Sequence, residues 1–473
     1  MDTNSAITRV QQASNLHSRY NPHAEAVRYI DSLNLKDNIK HFILIEPGQG
    51  FLIPVLRERF KESKIIVLHA QEHGFNQLEE GLPVLSSLED AEIQKFLELH
   101  INIDVDNAKI IEWRPSLNFY KEAYVKILSQ AVAFIKRADA GNRTTAAFGT
   151  RWVRNFFRNL DTLNKNLLYK RMDIPVIITA SGPSLEDALP FIKEAQDSHF
   201  IIAASSSVMA LTEFGISADL IIATDGGSWA LKHLYPCYRK KINALAVNLC
   251  AALPSQCKNT PTLLLNDGSY WQSYILHELS IPSVIIGQRG TVSATAVDLA
   301  LVLSGANIYL AGIDFSVNDI RTHVKPYGFD ALFSGKANRF NPFYSQCFTR
   351  SFYTSKGESL NIYASWFKTQ ADTWEKRIYS ITDSKIFKTL KPVKNLNVKK
   401  TSEYFKETQV QNNSITLREK GAASLLNALN NKEYARNIKQ ELSSLLFANK
   451  ESVTDDELEA AIKKTALGGA MYE

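Results

Sequence analysis

The stretch IPVIITASGPSLEDALPFI (residues 174–192) decides the fold. A run of β-favouring apolar residues ends at Ala180, a Gly182–Pro183 turn follows, and Ser184 stands where a helix N-cap belongs. Asp187 comes three positions later, the place of the acid in a capping box. This is a strand–turn–helix unit. Gly182 permits close approach to the backbone, and the unpaired N–H groups of a first helical turn form a ready anion site. The plain alternative is a β–α turn with a good cap.

Working outward, the same rhythm recurs. FIIAAS (200–205), DLIIATD (219–225), INALAVN (242–248), PTLLLND (261–267), PSVIIG (282–287) and NIYLAGID (307–314) read as further strands. Helical segments such as DALPFIKEAQ (187–196) and VSATAVDLALVLS (292–304) lie between them. Alternating strands and helices predict a doubly wound sheet over residues 170–330, with ligands at the carboxyl ends of its strands. Upstream, HFILIEPGQGFLIPVLRERF (41–60) and KIIVLHA (64–70) form a separate βαβ unit. Residues 114–169 read as helical, with Trp152, Phe156, Leu160 and Leu163 on one stripe and Arg151, Arg154 and Arg158 on another. Residues 330–370 read as a long aromatic loop of the lid or binding type. KIFKTLKPVKNLNVKK (385–400) reads as a solvated linker, and the last 70 residues as two or three helices. The expectation is an α/β protein in three parts. A smaller N-terminal α/β domain with linking helices covers 1–165, a central Rossmann-like doubly wound domain 166–395, and a helical region 396–473.

Composition limits the function. The chain has 473 residues, 45% hydrophobic and 22% charged, enough to bury several cores. Lys+Arg (54) barely exceeds Asp+Glu (49), so no nucleic-acid partner is expected. Cys237, Cys250, Cys257 and Cys347 have neither disulfide-framework nor zinc-site spacing. The first residues lack a signal-peptide core, and no apolar run is long enough to span a bilayer. A reduced, cytoplasmic protein without a membrane span is expected.

Candidate site residues lie where the strands stop. Ser205, Ser206 and Ser207 end the second strand of the main sheet, and Asp225, Gly226 and Gly227 the third. Such groups bond ribose or base, and they also make ordinary turns. Gly290, Thr291 and Ser293 open a hydroxyl-rich helix beside Arg289, a second candidate anion site. Asp314 ends the NIYLAGID strand, and His323 follows in a polar loop, where an imidazole suits general-base work. Weaker features are the Asp104/Asp106 pair, His69 with Glu72, and the Gly48/Gly50 turn, which is not a full dinucleotide fingerprint. The chain lacks both a P-loop motif and a nucleophile-elbow motif.

These residues together resemble the motility accessory factor (Maf) flagellin glycosyltransferases, within the larger family that includes archaeal 6-hydroxymethylpterin pyrophosphokinases. The resemblance is carried by LHSRYNPHAEA (16–26), ASGPSLEDALPFI (180–192), the run ending in ATD (223–225), and GTVSATAVDLALVLSGANIYLAGIDFS (290–316). The turn and the GIDF strand are also similar to those of metal-independent bacterial sialyltransferases. The resemblance implies that Gly182, Pro183 and Ser184 approach a nucleotide, that Thr291 and Ser293 bind its phosphate or ribose, and that His323 matches the region supplying the base. Ser181 stands where the sialyltransferases carry Asn, and Ser205 lies near another Asn position. With Asp225 and Gly290 these complete the expected nucleotide set, and Asp314 joins His323 as a catalytic candidate. The implied reaction is inverting transfer of a nonulosonic acid from its CMP conjugate to Ser or Thr of flagellin, with no metal and no cofactor beyond the donor. Two alternatives are a pterin pyrophosphokinase using ATP and Mg²⁺, with Asp225 and Asp314 near Gly182, and a non-catalytic flagellin-binding module.

Overall fold

The computed structural model describes residues 16–70, 81–101, 107–235, 242–287, 289–356, 359–371, 374, 376–392, 404–410, 415–431, 433–447, 450 and 452–468. Cys237, Glu72, Asp104 and Asp106, and the second half of the lysine-rich 385–400 stretch, lie outside the described residues. The chain divides into two compact units, Met1–Thr144 and Thr145–Glu473.

In the first unit, Asn21 caps helix α1 (Pro22–Ser32), its side chain accepting from the Ala24 N–H at 2.8 Å. Strand β1 (His41–Ile45) is buried along its whole length, as a strand covered on both faces must be. Helix α2 (Leu52–Arg59) connects it to β2 (Lys64–His69). With β3 (Val84–Ser86), α3 (Asp90–His100) and β4 (Ala108–Glu112), the strands form a parallel sheet of order β3-β2-β1-β4. Apolar clusters cover both faces, one around Phe42, Leu44 and Val67, the other around Ile43, Ile45 and Leu68. Helix α4 (Arg114–Tyr120) precedes α5 (Glu122–Leu160), a 39-residue helix.

The second unit holds the doubly wound sheet. The seven apolar runs become β6 (Val176–Thr179), β7 (Phe200–Ala204), β8 (Leu220–Ala223), β9 (Leu245–Asn248), β10 (Thr262–Asn266), β11 (Val284–Ile285) and β12 (Ile308–Ala311). Pairing is parallel among them, and β13 (Ile378–Ser380) adds a parallel edge beside β12. One segment departs from the sequence reading. Residues 165–169, expected as helix, form β5 (Lys165–Tyr169), which pairs antiparallel with β14 (Phe405–Gln409). The helical stripe ends at Leu160; beyond it the LLY run extends the sheet instead, an example of tertiary pairing overriding a short helical period.

The order β13-β12-β6-β7-β8-β9-β10-β5-β14 places the switch point between β6 and β12. Helix α6 (Leu185–Ala195) and α7 (Val208–Glu213) pack on one face, burying Leu185, Ala188, Leu189 and Ile192. Helix α10 (Val292–Leu303) packs on the other, and six of its residues are nearly unexposed because that face has no contact with water. Short α8 (Leu231–Leu234) and α9 (Tyr270–Glu278) follow β8 and β10. The aromatic region expected as a loop folds instead into α11 (Asp330–Lys336), α12 (Phe343–Lys356) and α13 (Ser359–Ala371). Its aromatic residues recur at helical spacing, and Phe367 is fully buried among Phe315, Trp374 and Phe387. The C-terminal helices are α14 (Leu417–Leu429), α15 (Ala435–Leu446) and α16 (Asp455–Leu467); α14 and α16 open with capping boxes built on Thr416–Glu419 and Thr454–Glu457. They pack with Phe156, Phe157 and Trp271 into a third core. No described helix is long and apolar enough to cross a membrane.

Candidate functional site

The carboxyl ends of β6 and β12 meet at the switch point, where open α/β sheets bind ligands. Backbone bonds lock them together: Ala180 N–H donates to Ala311 O and Gly182 N–H to Gly312 O, both at 2.8 Å. A Cβ on Gly182 would lie 2.6 Å from Gly312 O and 2.7 Å from Asp314 Oδ2; one on Gly312, whose φ is +70°, would lie 2.4 Å from Ala180 O. Gly182 is therefore required by the chain's own backbone.

The first candidate anion site is filled from within. Ser184 N–H donates to Asp314 Oδ2 at 2.7 Å and the Ser184 hydroxyl donates to Oδ1 of the same carboxylate. Leu185 N–H and Glu186 N–H are held by the carbonyls of Gly182 and Pro183. A carboxylate thus occupies the positive end of α6, where the helix dipole favours it. The capping-box reading of Ser184 and Asp187 is corrected, because the Ser184 hydroxyl caps no N–H of its own helix. Burial pushes the Asp314 carboxyl up; the Ser184 donors oppose the rise and Asp187 adds to it.

The second candidate is open. Thr291 caps α10, its Oγ1 accepting from Ala294 N–H at 3.1 Å and lying 3.3 Å from Ser293 Oγ. Among the described residues, no acceptor faces the N–H groups of Val292 and Ser293. Gly290, at φ +74°, is exposed just ahead of them. Arg289 does not stand beside this terminus as a free cation, since its guanidinium pairs with Asp298 and lies 5.8 Å from the centre of the Trp366 ring.

The loop after β12 is docked onto the Ser181–Glu186 turn. Val324 N–H donates to Ser181 O at 2.8 Å, while Glu186 accepts from Arg321 at 2.7 Å and from Lys325 N–H at 3.1 Å. This docking places His323. Its ring stacks on Tyr327 at 4.1 Å and its Nδ1 lies 2.9 Å from Thr322 Oγ1. Burial, with His233 and Arg350 nearby, lowers its pKa to about 4, so the ring is neutral at pH 7 rather than poised near neutrality.

Three groups here escaped the sequence reading. His233, on α8, is buried with its ring 5.0 Å from Tyr327 and 4.7 Å from Phe329. Burial lowers its pKa and Asp225 opposes that shift, which joins the end of β8 electrostatically to this cluster. Arg350, on α12, lies 3.5 Å above the Phe333 ring, and its Nε is buried without a hydrogen-bond partner among the described residues. Tyr327 is the ring between the two histidines, and burial raises its phenol. His233 lies eight positions beyond Asp225, on the helix that follows β8, and nothing local marks it or Arg350.

The remaining candidates are structural in their visible contacts. The Asp225 carboxylate, exposed, accepts from Gly227 N–H at 2.7 Å, and its carbonyl accepts from Ala252 N–H. Ser205 is buried in a single 3₁₀ turn, and Ser207 ties β7 to β6 through Thr179 at 2.8 Å. In the first unit, the Gly48–Gly50 turn is occupied by His17, whose Nε2 accepts from Gln49 N–H at 2.9 Å between Trp113 and Phe51. His69 is bonded through Nδ1 to buried Glu46 at 2.9 Å. The described residues bring together no three His, Cys, Asp or Glu side chains able to hold a metal ion.

A relative from Treponema pallidum (strain Nichols), an uncharacterized protein, is 28% identical over 284 residues. That match covers 58% of this chain and 60% of the relative, less than two thirds of its length. A solved structure of a MAf glycosyltransferase from Magnetospirillum magneticum AMB-1 is 14% identical, covers 90% of this chain and 73% of its own, and superposes with a TM-score of 0.49. Residues 151–319, from the end of α5 to the loop after β12, match the family described as 6-hydroxymethylpterin diphosphokinase MptE-like.

Proposed function

We propose that the second unit is a glycosyltransferase that moves a nonulosonic acid from its CMP conjugate to Ser or Thr hydroxyls of flagellin. The observation that carries this reading is the unequal state of two helix termini of the second unit. The α6 terminus is closed by Asp314, whereas at the α10 terminus two N–H groups have no acceptor among the described residues and stand with the hydroxyls of Thr291 and Ser293. One phosphodiester needs one such terminus, and its charge is met by N–H groups and the helix dipole. Arg350, with an unpaired buried Nε, supplies a cation for the phosphate or the sugar carboxylate.

In this mechanism the acceptor oxygen attacks the anomeric carbon as the bond to the CMP phosphate breaks, and CMP leaves with that electron pair. The hydroxyl proton passes to His323, neutral at pH 7. Burial holds the imidazole down most; an anionic donor beside Arg350 offsets the smaller share that this guanidinium adds, which strengthens the base. Asp314 holds the turn rather than the proton, because both its oxygens are engaged by Ser184.

The test is calorimetric titration with CMP in chelator, followed by transfer to flagellin. Binding that weakens in Thr291→Val and Ser293→Ala supports the reading; indifference to CMP ends it. A second reading, ATP- and Mg²⁺-dependent diphosphoryl transfer to a pterin, is favoured by the family match over residues 151–319. It needs carboxylates free for Mg²⁺, and Asp314 is committed to Ser184. Magnesium-dependent binding of ATP with CMP silent would establish it instead.

A further inference from the structure

Helix α12 has two unlike faces. Its inner face holds Cys347, Arg350 and Ser351, and Ser351 Oγ donates to Asp319 O at 2.7 Å in the loop that carries His323. Its outer face is aromatic and open to solvent. Tyr344 is 65% exposed, Phe348 55%, Phe352 44% and Tyr353 69%, and Phe340, one turn ahead, is 95% exposed. Tyr344, Phe348 and Phe352 recur every fourth residue, which aligns them as one stripe over two helical turns, about 12 Å, and Phe340 lies in the turn that precedes the helix. Scattered exposed apolar residues are ordinary, but a contiguous row marks an interaction surface.

We infer that this stripe is the surface that holds the acceptor polypeptide, and that it takes an amphipathic segment bearing apolar and acidic side chains. The inference rests on the glycosyltransferase reading above. Charge selects the acid: from Asp330 to Lys356 the exposed charged side chains are Lys336, Arg339 and Lys356, all basic, while Asp330 is half-buried and accepts from Tyr327 N–H. Composition selects a polypeptide over a lipid surface. The outward residues between the rings are Ser345, Thr349 and Ser355, with no Leu, Ile, Val or Trp to enter hydrocarbon. Rigid aromatics interleaved with small hydroxyl residues are the chemistry of protein-binding surfaces, where rings supply area at low entropic cost and hydroxyls adapt. Position adds the functional link, because the same helix presents Arg350 to the site and the stripe to solvent.

The test measures direct binding of full-length protein to flagellin monomer, with CMP titration in parallel. The double variant Phe348→Ser/Phe352→Ser is expected to weaken flagellin binding at least about tenfold while CMP affinity and melting temperature stay unchanged. Arg339→Glu/Lys356→Glu should weaken it too, and added salt should reduce the wild-type affinity. Flagellin binding unaffected by either variant, or absent from the wild type, overturns the inference. Stripe-dependent capture on phosphatidylglycerol vesicles, with flagellin binding unaffected by the variants, also overturns it and assigns a lipid. Stripe-dependent flagellin binding without CMP binding or transfer keeps the surface and removes the glycosyltransferase reading, so the two failures are distinct.

Discussion

Ser184 gives both its backbone N–H and its hydroxyl to the carboxylate of Asp314, 130 positions later in the chain. This pair joins the β6–α6 turn of the main sheet to the end of β12, and it puts the chain's own anion at a helix terminus that otherwise suits a phosphate. Removing the carboxylate leaves two donors without their acceptor. Asp314→Ala should cost about 1–3 kcal/mol in urea unfolding, and Asp314→Asn, which keeps an acceptor, clearly less. Equal loss in both variants would mean that charge at the helix terminus, not hydrogen bonding, is what Asp314 contributes.

Acidification should act on the same carboxyl. Its folded pKa is raised by burial, so ionised Asp314 costs stability above that pKa, and the cost is relieved as pH falls through it. Wild type should therefore gain on Asp314→Asn as pH is lowered from 7 towards 4. Paired urea titrations across that range check the sign; a widening deficit of the wild type would contradict it.

Gly182→Ala places a methyl group 2.6 Å from Gly312 O. The backbones must separate, at a cost of about 1–3 kcal/mol by analogy with overpacked cores. The loss should appear in melting temperature with or without ligand. An unchanged melting temperature would show that the turn yields freely. Because this glycine is structural, nucleotide contacts are better probed at Thr291 and Ser293.

His323 is expected to titrate near pH 4, well below an exposed imidazole. Arg350→Met should raise that value, and so should saturating CMP, since each removes or offsets the same positive charge. NMR titration of the ring protons reads both. Because the folded pKa is depressed, the ring's contribution to stability is complete above about pH 6.5 and is lost as pH falls towards 4. His323→Gln should therefore be less acid-sensitive than wild type, and a steeper acid loss in the variant would refute this.

Thr291→Val removes a helix cap and a hydroxyl together. Loss of the cap should cost about 1 kcal/mol, and CMP affinity should fall about tenfold or more if the phosphate binds at the open α10 terminus. Thr291→Ser restores the oxygen and should recover both. Affinity that follows neither substitution would place the nucleotide elsewhere along the strand edge.

The strands of the main sheet were legible in the sequence because a strand buried on both faces reads as a continuous apolar run, and seven such runs are separated by turn residues. The turn at Gly182, the cap at Thr291 and the helices at the C-terminus were legible for the same local reason, since caps and turns are made by neighbours in the chain. What the tertiary structure decided is which of those local features remain open. No local pattern tells that Asp314 closes the α6 terminus, that His17 fills the Gly48–Gly50 turn, or that Arg289 turns to Asp298. Nor does it tell that His233 and Arg350 gather at His323, or that the aromatic region folds into a helix with rings facing water. These depend on pairings across tens to hundreds of residues, and their energies arise from burial and from charges brought close only by the fold.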